Sequence, residues 1–353
     1  MFLFWLGFGI LCSAPMGVAL VFLVRYWELR IRYMDILVRI FQEKPLFIVP
    51  RGQPVPEAED VRFPAADGAT LAGCYLRAAG PRRGVILFGL EFGSNRWSCQ
   101  PYCEHLLAAG YDVFAFETRG QGDSDCPPGY EPLQWVTQFE VNDAQAALTY
   151  LKNRPDADPC GVGFFGVSKG AGAGLLAAAR DPYVRCFVTD GVFGVYTTLV
   201  PYMRQWFRIY NNRLLIQGLV PSWYYGLIGL AGLAKIERLR GCRFPHLEDA
   251  LPRLAPRPLL MIHGGGDTYI KPEMARALCG CAREPRELWV VEGAKHNMAL
   301  QTAGDEYRRR VLDFFNNHLA QDSLTQRRKD RKEDKASVRR EPAARRKHAS
   351  PAG

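Results

Sequence analysis

Between residues 61 and 319 the chain alternates short apolar runs with longer stretches whose apolar positions recur at helical spacing. The runs are 61–63, 69–77, 85–88, 111–116, 162–167, 184–189, 259–262 and 288–291. Most are apolar throughout rather than alternating, which is the pattern of strands covered on both faces. Helical spacing is found at 99–109, 138–152, 171–179, 272–281 and 306–319. Strands alternating with helices predict an α/β architecture, a mostly parallel sheet with helices on both faces. The first two runs flank Asp67-Gly68, a turn pair that predicts a hairpin.

Three stretches fall outside this rhythm. Residues 193–248 are rich in aromatics, among them Tyr202, Trp206, Tyr210, Trp223, Tyr224 and Tyr225, and interrupt the alternation as an inserted cap would. Residues 1–24 hold no charged side chain, and Arg25, Arg30, Arg32 and Arg39 follow. That length can cross a hydrocarbon layer, and no positive residue precedes it as one would in a signal peptide. The expectation is a single-pass transmembrane anchor over 1–27, with the arginines and the following body on the cytoplasmic side. Residues 28–59 then read as a juxtamembrane segment, helical along the membrane surface over 30–47, and a linker punctuated by Pro45, Pro50, Pro54 and Pro56. The last stretch, 321–353, is charged, poor in large apolar residues and expected to be disordered.

Charge changes this picture only at that end. The chain of 353 residues carries a formal +9, and the tail 321–353 alone holds eleven Lys/Arg against five Asp/Glu. About +3 is left for the body, which argues against a nucleic-acid partner. The ten cysteines are scattered. Cys279 and Cys281 have no histidine nearby, and Cys99, Cys103 and His105 lack a second ligand pair, so no metal site is expected. Free thiols in a reducing compartment are the plainer reading, with Cys160, Cys186 and Cys279 in the core.

Chemistry enters at Gly166-Val167-Ser168-Lys169-Gly170, which ends an apolar run and opens a small-residue segment. Strand, tight turn and helix in that order strain the backbone at Ser168 and project its hydroxyl, as a nucleophile requires. Gly264-Gly265-Gly266-Asp267 follows a later run and Lys295-His296-Asn297 follows the last. His296 can take the serine proton and return it, and Asp267 can hold the imidazole in the right tautomer. Asp190, also at a strand end, is the rival acid and ranks behind Asp267. The glycine run at 264–266 lacks the frame of a phosphate loop, and no cofactor is expected.

From about 60 to 319 the chain resembles the α/β-hydrolase superfamily: the Ser168 pentapeptide, the Asp267 and His296 loops in that order, and Glu117-Thr118-Arg119-Gly120-Gln121-Gly122-Asp123-Ser124, which is similar to the turn after the fourth strand there. The serine esterases and the dienelactone-hydrolase and acyl-peptidase-like branches are the nearest in kind. The resemblance implies an α/β-hydrolase fold over 60–320 with a cap at about 193–248. It also implies an oxyanion hole from the amide of Lys169 and an amide of Glu91 or Phe92. Where relatives often have His-Gly, this chain has Leu90-Glu91, and the Glu91 side chain is expected to turn away from the site. Lys169 is expected to face solvent, and Arg119 and Asp123 to fix their own turn. The implied function is a membrane-anchored serine hydrolase that cleaves a carboxylic ester or thioester with an apolar acyl part. A catalytically silent binding module and an acyltransferase using the same triad are the alternatives.

Overall fold

The computed structural model describes residues 2–43, 51–210 and 220–320, with side chains from residue 15 onward and none at 210. The apolar runs become one sheet of β1 (Glu59–Pro64), β2 (Thr70–Leu76), β3 (Gly84–Gly89), β4 (Tyr111–Phe116), β5 (Val162–Val167), β6 (Val184–Asp190), β7 (Leu259–Gly264) and β8 (Arg286–Val291). Their spatial order is β1-β2-β4-β3-β5-β6-β7-β8. β2 is antiparallel to both β1 and β4, and every pairing from β4 to β8 is parallel. The hairpin closes at Asp67-Gly68, where Gly68 has φ 89.

Strand alternation divides the sheet between two apolar layers. Leu87 and Phe164 join Ala144 and Leu148 of α4 (Gln138–Asn153) and Leu175 of α5 (Ser168–Ala178) on one face. Phe88 and Phe165 join Leu106 of α3 (Gln100–Ala108) and Tyr307 and Phe315 of α10 (Ala299–His318) on the other. Each such side chain contributes on the order of 2 kcal/mol by leaving water, so both faces are firmly covered. Helix α10 begins at Ala299 rather than 306, because Gly304 (φ 51) breaks the helical backbone and obscures the periodicity of the first turn.

A third apolar cluster stands over the sheet edge and corrects the reading of the N-terminal region. Between β6 and β7 lie α6 (Val195–Tyr210), α7 (Ser222–Arg240) and the short α8 (Leu247–Ala250). Helix α1 (Phe2–Arg32) is followed by α2 (Met34–Gln42). The apolar face of α2, expected to lie on a membrane, is instead buried: Met34, Val38 and Phe41 pack with Leu199, Ile228 and Leu233 of the cap. The Trp135 indole donates to the carbonyl of Phe41 at 2.8 Å and stacks on its ring at 4.8 Å. The amphipathic pattern was real, but its partner is protein.

The expected transmembrane anchor over 1–27 is not supported: among the described residues no helix is long and apolar enough to cross a membrane. Helix α1 bends its composition toward charge, with Arg25, Glu28, Arg30 and Arg32 in its last third and Pro15 inside it. The tail 321–353 and the segment 44–50 lie outside the described residues. Cys186 and Cys279 are buried as expected, whereas Cys160 is only partly covered.

Candidate active site

The elbow after β5 can be tight because its flanking residues lack side chains. A Cβ on Gly166 would lie 2.5 Å from the Cα of Ala171, and one on Gly170 would lie 2.2 Å from the carbonyl oxygen of Leu90. The loop after β3 is thereby pressed against the first turn of α5. Ser168 takes φ 49, and Asn297 takes φ 56; among the described residues these are the positive-φ positions outside glycine. Such backbone costs on the order of 1–3 kcal/mol and persists where surrounding structure imposes it.

Ser168, Asp267 and His296, predicted from three separate strand ends, are brought together. Ser168 Oγ lies 3.1 Å from His296 Nε2, and His296 Nδ1 lies 2.6 Å from Asp267 Oδ2. A carboxylate only accepts, so Nδ1 carries the hydrogen and Nε2 presents its lone pair to the hydroxyl. The other oxygen of Asp267 accepts from the amides of Tyr269 and Ile270 at 2.8 and 2.9 Å, which fixes its plane. His263, at the end of β7, donates Nε2–H to the carbonyl of Ile270 at 2.7 Å, and burial holds its pKa below the ordinary value. It is a neutral support beneath the acid. The Tyr269 ring meets His296 edge-on at 5.3 Å.

The rival acid is elsewhere. Asp190 is fully buried at the end of β6, where one oxygen accepts from the Tyr307 hydroxyl at 2.9 Å. Burial, opposed in part by that hydrogen bond, pushes its pKa up to about 7.

The predicted oxyanion donors are the amides of Lys169, Glu91 and Phe92. Lys169 is the second residue of α5, so its N–H has no partner within the helix. Opposite it, the loop from Leu90 to Ser94 is clamped: Gln121 Nε2 donates to the carbonyls of Glu91 and Ser94, both at 2.9 Å, and Ser94 Oγ donates to Glu91 at 2.8 Å. The Arg119 turn thus holds the loop through Gln121. Arg119 itself reaches Asp143 of α4 and Asp67 of the hairpin, each at 2.6 Å, and Asp123 pairs with Arg96 at 2.7 Å. These contacts are structural, as expected, but they reach far beyond the turn.

One side-chain expectation fails here. Lys169 does not face solvent: it is buried, donating to Glu140 at 2.8 Å and to the carbonyl of Leu133 at 2.6 Å, with the Phe92 ring 5.3 Å away. Burial would raise Glu140, but Lys169, Thr137 and Tyr130 together hold its pKa below the usual carboxylate value. The Glu91 carboxylate accepts from Asn297, the residue after His296, at 2.6 Å.

The alpha/beta hydrolase family model matches residues 88–310, from the end of β3 through most of α10. The chain belongs to the alpha/beta hydrolase family. It is 26% identical over 265 residues to YfhR of Escherichia coli K12, covering 73% of this chain and 80% of that protein. It is 24% identical over 301 residues to the polyketide transferase ATR5 of Stachybotrys chlorohalonatus, covering 74% and 97%. Among solved structures, the Pyrococcus furiosus esterase Pf2001 aligns with TM-score 0.58 at 21% identity, covering 79% of this chain and 99% of its own. The hydrolase GrgF of a Penicillium aligns at 0.56 with 20% identity, covering 75% and 99%. At these identities the structural likeness speaks for the fold.

Within that family fold, Glu140, Gln121 and Asn297 are site-supporting residues that the sequence reading passed over. Thr137-Gln138-Phe139-Glu140 does carry the signature of a capping box, and Glu140 accepts from the Thr137 amide at 2.7 Å as that motif requires. Its second partner, Lys169, is set by tertiary packing. Asn297 had only its adjacency to His296 as a signal.

Proposed function

We propose that this protein is a serine hydrolase that cleaves a carboxylic ester through an acyl-Ser168 intermediate. The observation that carries the reading is the continuous chain from Ser168 Oγ through His296 to Asp267. Ser168 Oγ attacks the ester carbon while its proton passes to His296 Nε2, and the oxyanion is met by the amide of Lys169 and an amide of the Glu91–Phe92 loop. The intermediate collapses, the alcohol departs with the proton from His296, and water repeats the sequence to free the acid and restore Ser168. Thioesters fit the same steps. A fluorophosphonate should label the wild-type chain. Equal labelling of Ser168→Ala would remove the assignment, and unlabelled wild type that turns over no p-nitrophenyl ester would favour a silent binding module.

Transfer of the acyl group to an alcohol rather than water is a second reading, favoured by the resemblance to the polyketide transferase. Product analysis with competing alcohols separates the two.

The substrate is read as carrying an apolar acyl part, and the protein as meeting a lipid bilayer through α1. Met16, Val18, Leu20, Val21, Leu23 and Val24 are all more than half exposed. Phe22 packs beside Trp223 of α7, whose ring is itself exposed, so the apolar surface continues onto the cap. A patch of this kind marks a contact surface, and Arg25, Arg30 and Arg32 flank it with charge suited to anionic headgroups. A cytoplasmic body that meets the membrane surface through α1 is the corresponding arrangement. Full-length chain should sediment with phosphatidylserine vesicles, and replacing Leu20, Val21 and Leu23 with serine should abolish this. Unchanged sedimentation would dismiss α1 as the contact.

A further inference from the structure

The departure at Leu90-Glu91 places a glutamate in the loop expected to offer the second oxyanion amide, and the structure gives its carboxylate a definite partner. Glu91 Oε2 accepts from Asn297 Nδ2 at 2.6 Å, joining residues 206 apart in sequence. Both ends of the tie are themselves held. The main-chain carbonyl of Glu91 accepts from Gln121 and Ser94, and the carbonyl of Asn297 accepts from the Tyr102 hydroxyl at 3.4 Å. Asn297 is buried in the left-handed conformation, where asparagine and aspartate are tolerated better than other side chains. Its Oδ1 is buried without a hydrogen-bond partner among the described residues, so the amide donates its NH2 to Glu91 and leaves its oxygen unused.

We propose that Glu91 is a positioning residue for His296: through Asn297 it locks the loop offering the second oxyanion amide to the loop carrying the base, and it holds its charge on the histidine side of the site. This rests on the hydrolase reading above. The titratable groups in range of Glu91 are His296 in the same loop as Asn297, Asp190 at the end of β6 and Tyr102 of α3. Burial pushes Glu91 up from the ordinary carboxyl range, and Asn297 and His296 oppose that rise. A carboxylate tied to the residue next to His296 favours the imidazolium that forms when the serine proton is taken. Tied to Asn297, it is less free to swing toward the oxyanion than an unpaired side chain would be.

The test uses the full chain and two readouts: kcat/KM for p-nitrophenyl butyrate against pH, and NMR titration of the His296 imidazole. Glu91→Gln keeps an acceptor for Asn297 and removes the charge. Both the acid limb and the imidazole midpoint should move to lower pH. Asn297→Asp sets two carboxylates face to face, and kcat/KM should fall roughly 10- to 100-fold through misplacement of the loops. Combining Glu91→Gln with Asn297→Asp exchanges donor and acceptor, and should restore kcat/KM to within about threefold of wild type. An unmoved imidazole midpoint in Glu91→Gln, or a double variant no better than Asn297→Asp, overturns the proposal. Wild type that turns over no ester counts against the hydrolase reading alone, because the imidazole titration still decides the tie.

Discussion

The elbow and the cap bury side chains by opposite means. Around Ser168, polar and charged groups are taken out of water in pairs: Lys169 with Glu140, Arg119 with Asp143, Asp267 with two amides and His296. Over the sheet edge, α2, α6 and α7 meet through Met34, Phe41, Leu199, Met203 and Ile228, with polar contacts such as Lys235 to Asp35 and Arg240 to Gln42 at the margin. The first arrangement fails when one partner is removed; the second yields gradually to loss of volume. That difference follows from task. On the proposed reading the elbow must hold a few atoms at fixed distances, whereas the helices over the sheet edge need only pack on one another.

The largest effect should come from breaking the polar side at its centre. His296→Ala is expected to lower kcat for p-nitrophenyl esters by about 10⁴-fold or more while leaving the melting temperature close to wild type, since Asp267 keeps its two backbone amide donors. Steady-state kinetics beside a thermal melt check both. A loss of activity matched by loss of fold would show that the elbow and the cap do not differ as argued. Next in size is Lys169→Met, which strands the Glu140 carboxylate without its cation. A buried charge left alone costs roughly 3–5 kcal/mol, read by urea denaturation, and adding Glu140→Gln should recover most of it.

The same contrast explains what could be read beforehand. All eight strands and the loops carrying Ser168, Asp267 and His296 were legible, because parallel strands buried on both faces leave continuous apolar runs and the residues at their ends are forced to one edge of the sheet. The match of residues 88–310 to the alpha/beta hydrolase family agrees with that reading. What escaped were pairings between distant elements. Lys169 looked like an exposed helix residue because nothing local reveals Glu140. The face of α2 was correctly apolar but was assigned to a membrane, since periodicity states that a face is covered and not by what. The Asn297 contact with Glu91 joins two loops whose approach depends on the whole sheet.

A smaller and pH-dependent effect sharpens the polar side. Among the described residues Asp190 forms no ion pair, and burial lifts its pKa to about 7 in the folded chain, against roughly 4 for an unfolded aspartate. Between those values the folded state holds a proton that the unfolded state has lost, so stability falls as pH rises through this window. Asp190→Asn retains an acceptor for Tyr307 and removes the titration. Its melting temperature should fall less steeply than that of wild type as pH rises from 4 to 7, with up to about 3–4 kcal/mol separating the two above pH 7. Parallel slopes would place the ionisation elsewhere.

The mildest perturbation belongs on the apolar side, where the contact between α2 and the cap can be thinned without stranding a charge. Val38 is buried against the cap, whereas Ile31 at the end of α1 is three-quarters exposed. Val38→Ala removes two methyl groups and should cost roughly 2 kcal/mol, the transfer term plus a small cavity. Ile31→Ser should change stability by less than about 0.5 kcal/mol, because nothing is packed on it. In both variants fluorophosphonate labelling of Ser168 at 25 °C should keep its wild-type rate, since neither touches the elbow. If Val38→Ala slowed labelling as well, the cap would be acting on the geometry of the site and not only covering it, and the division between the two regions would have to be redrawn at α2.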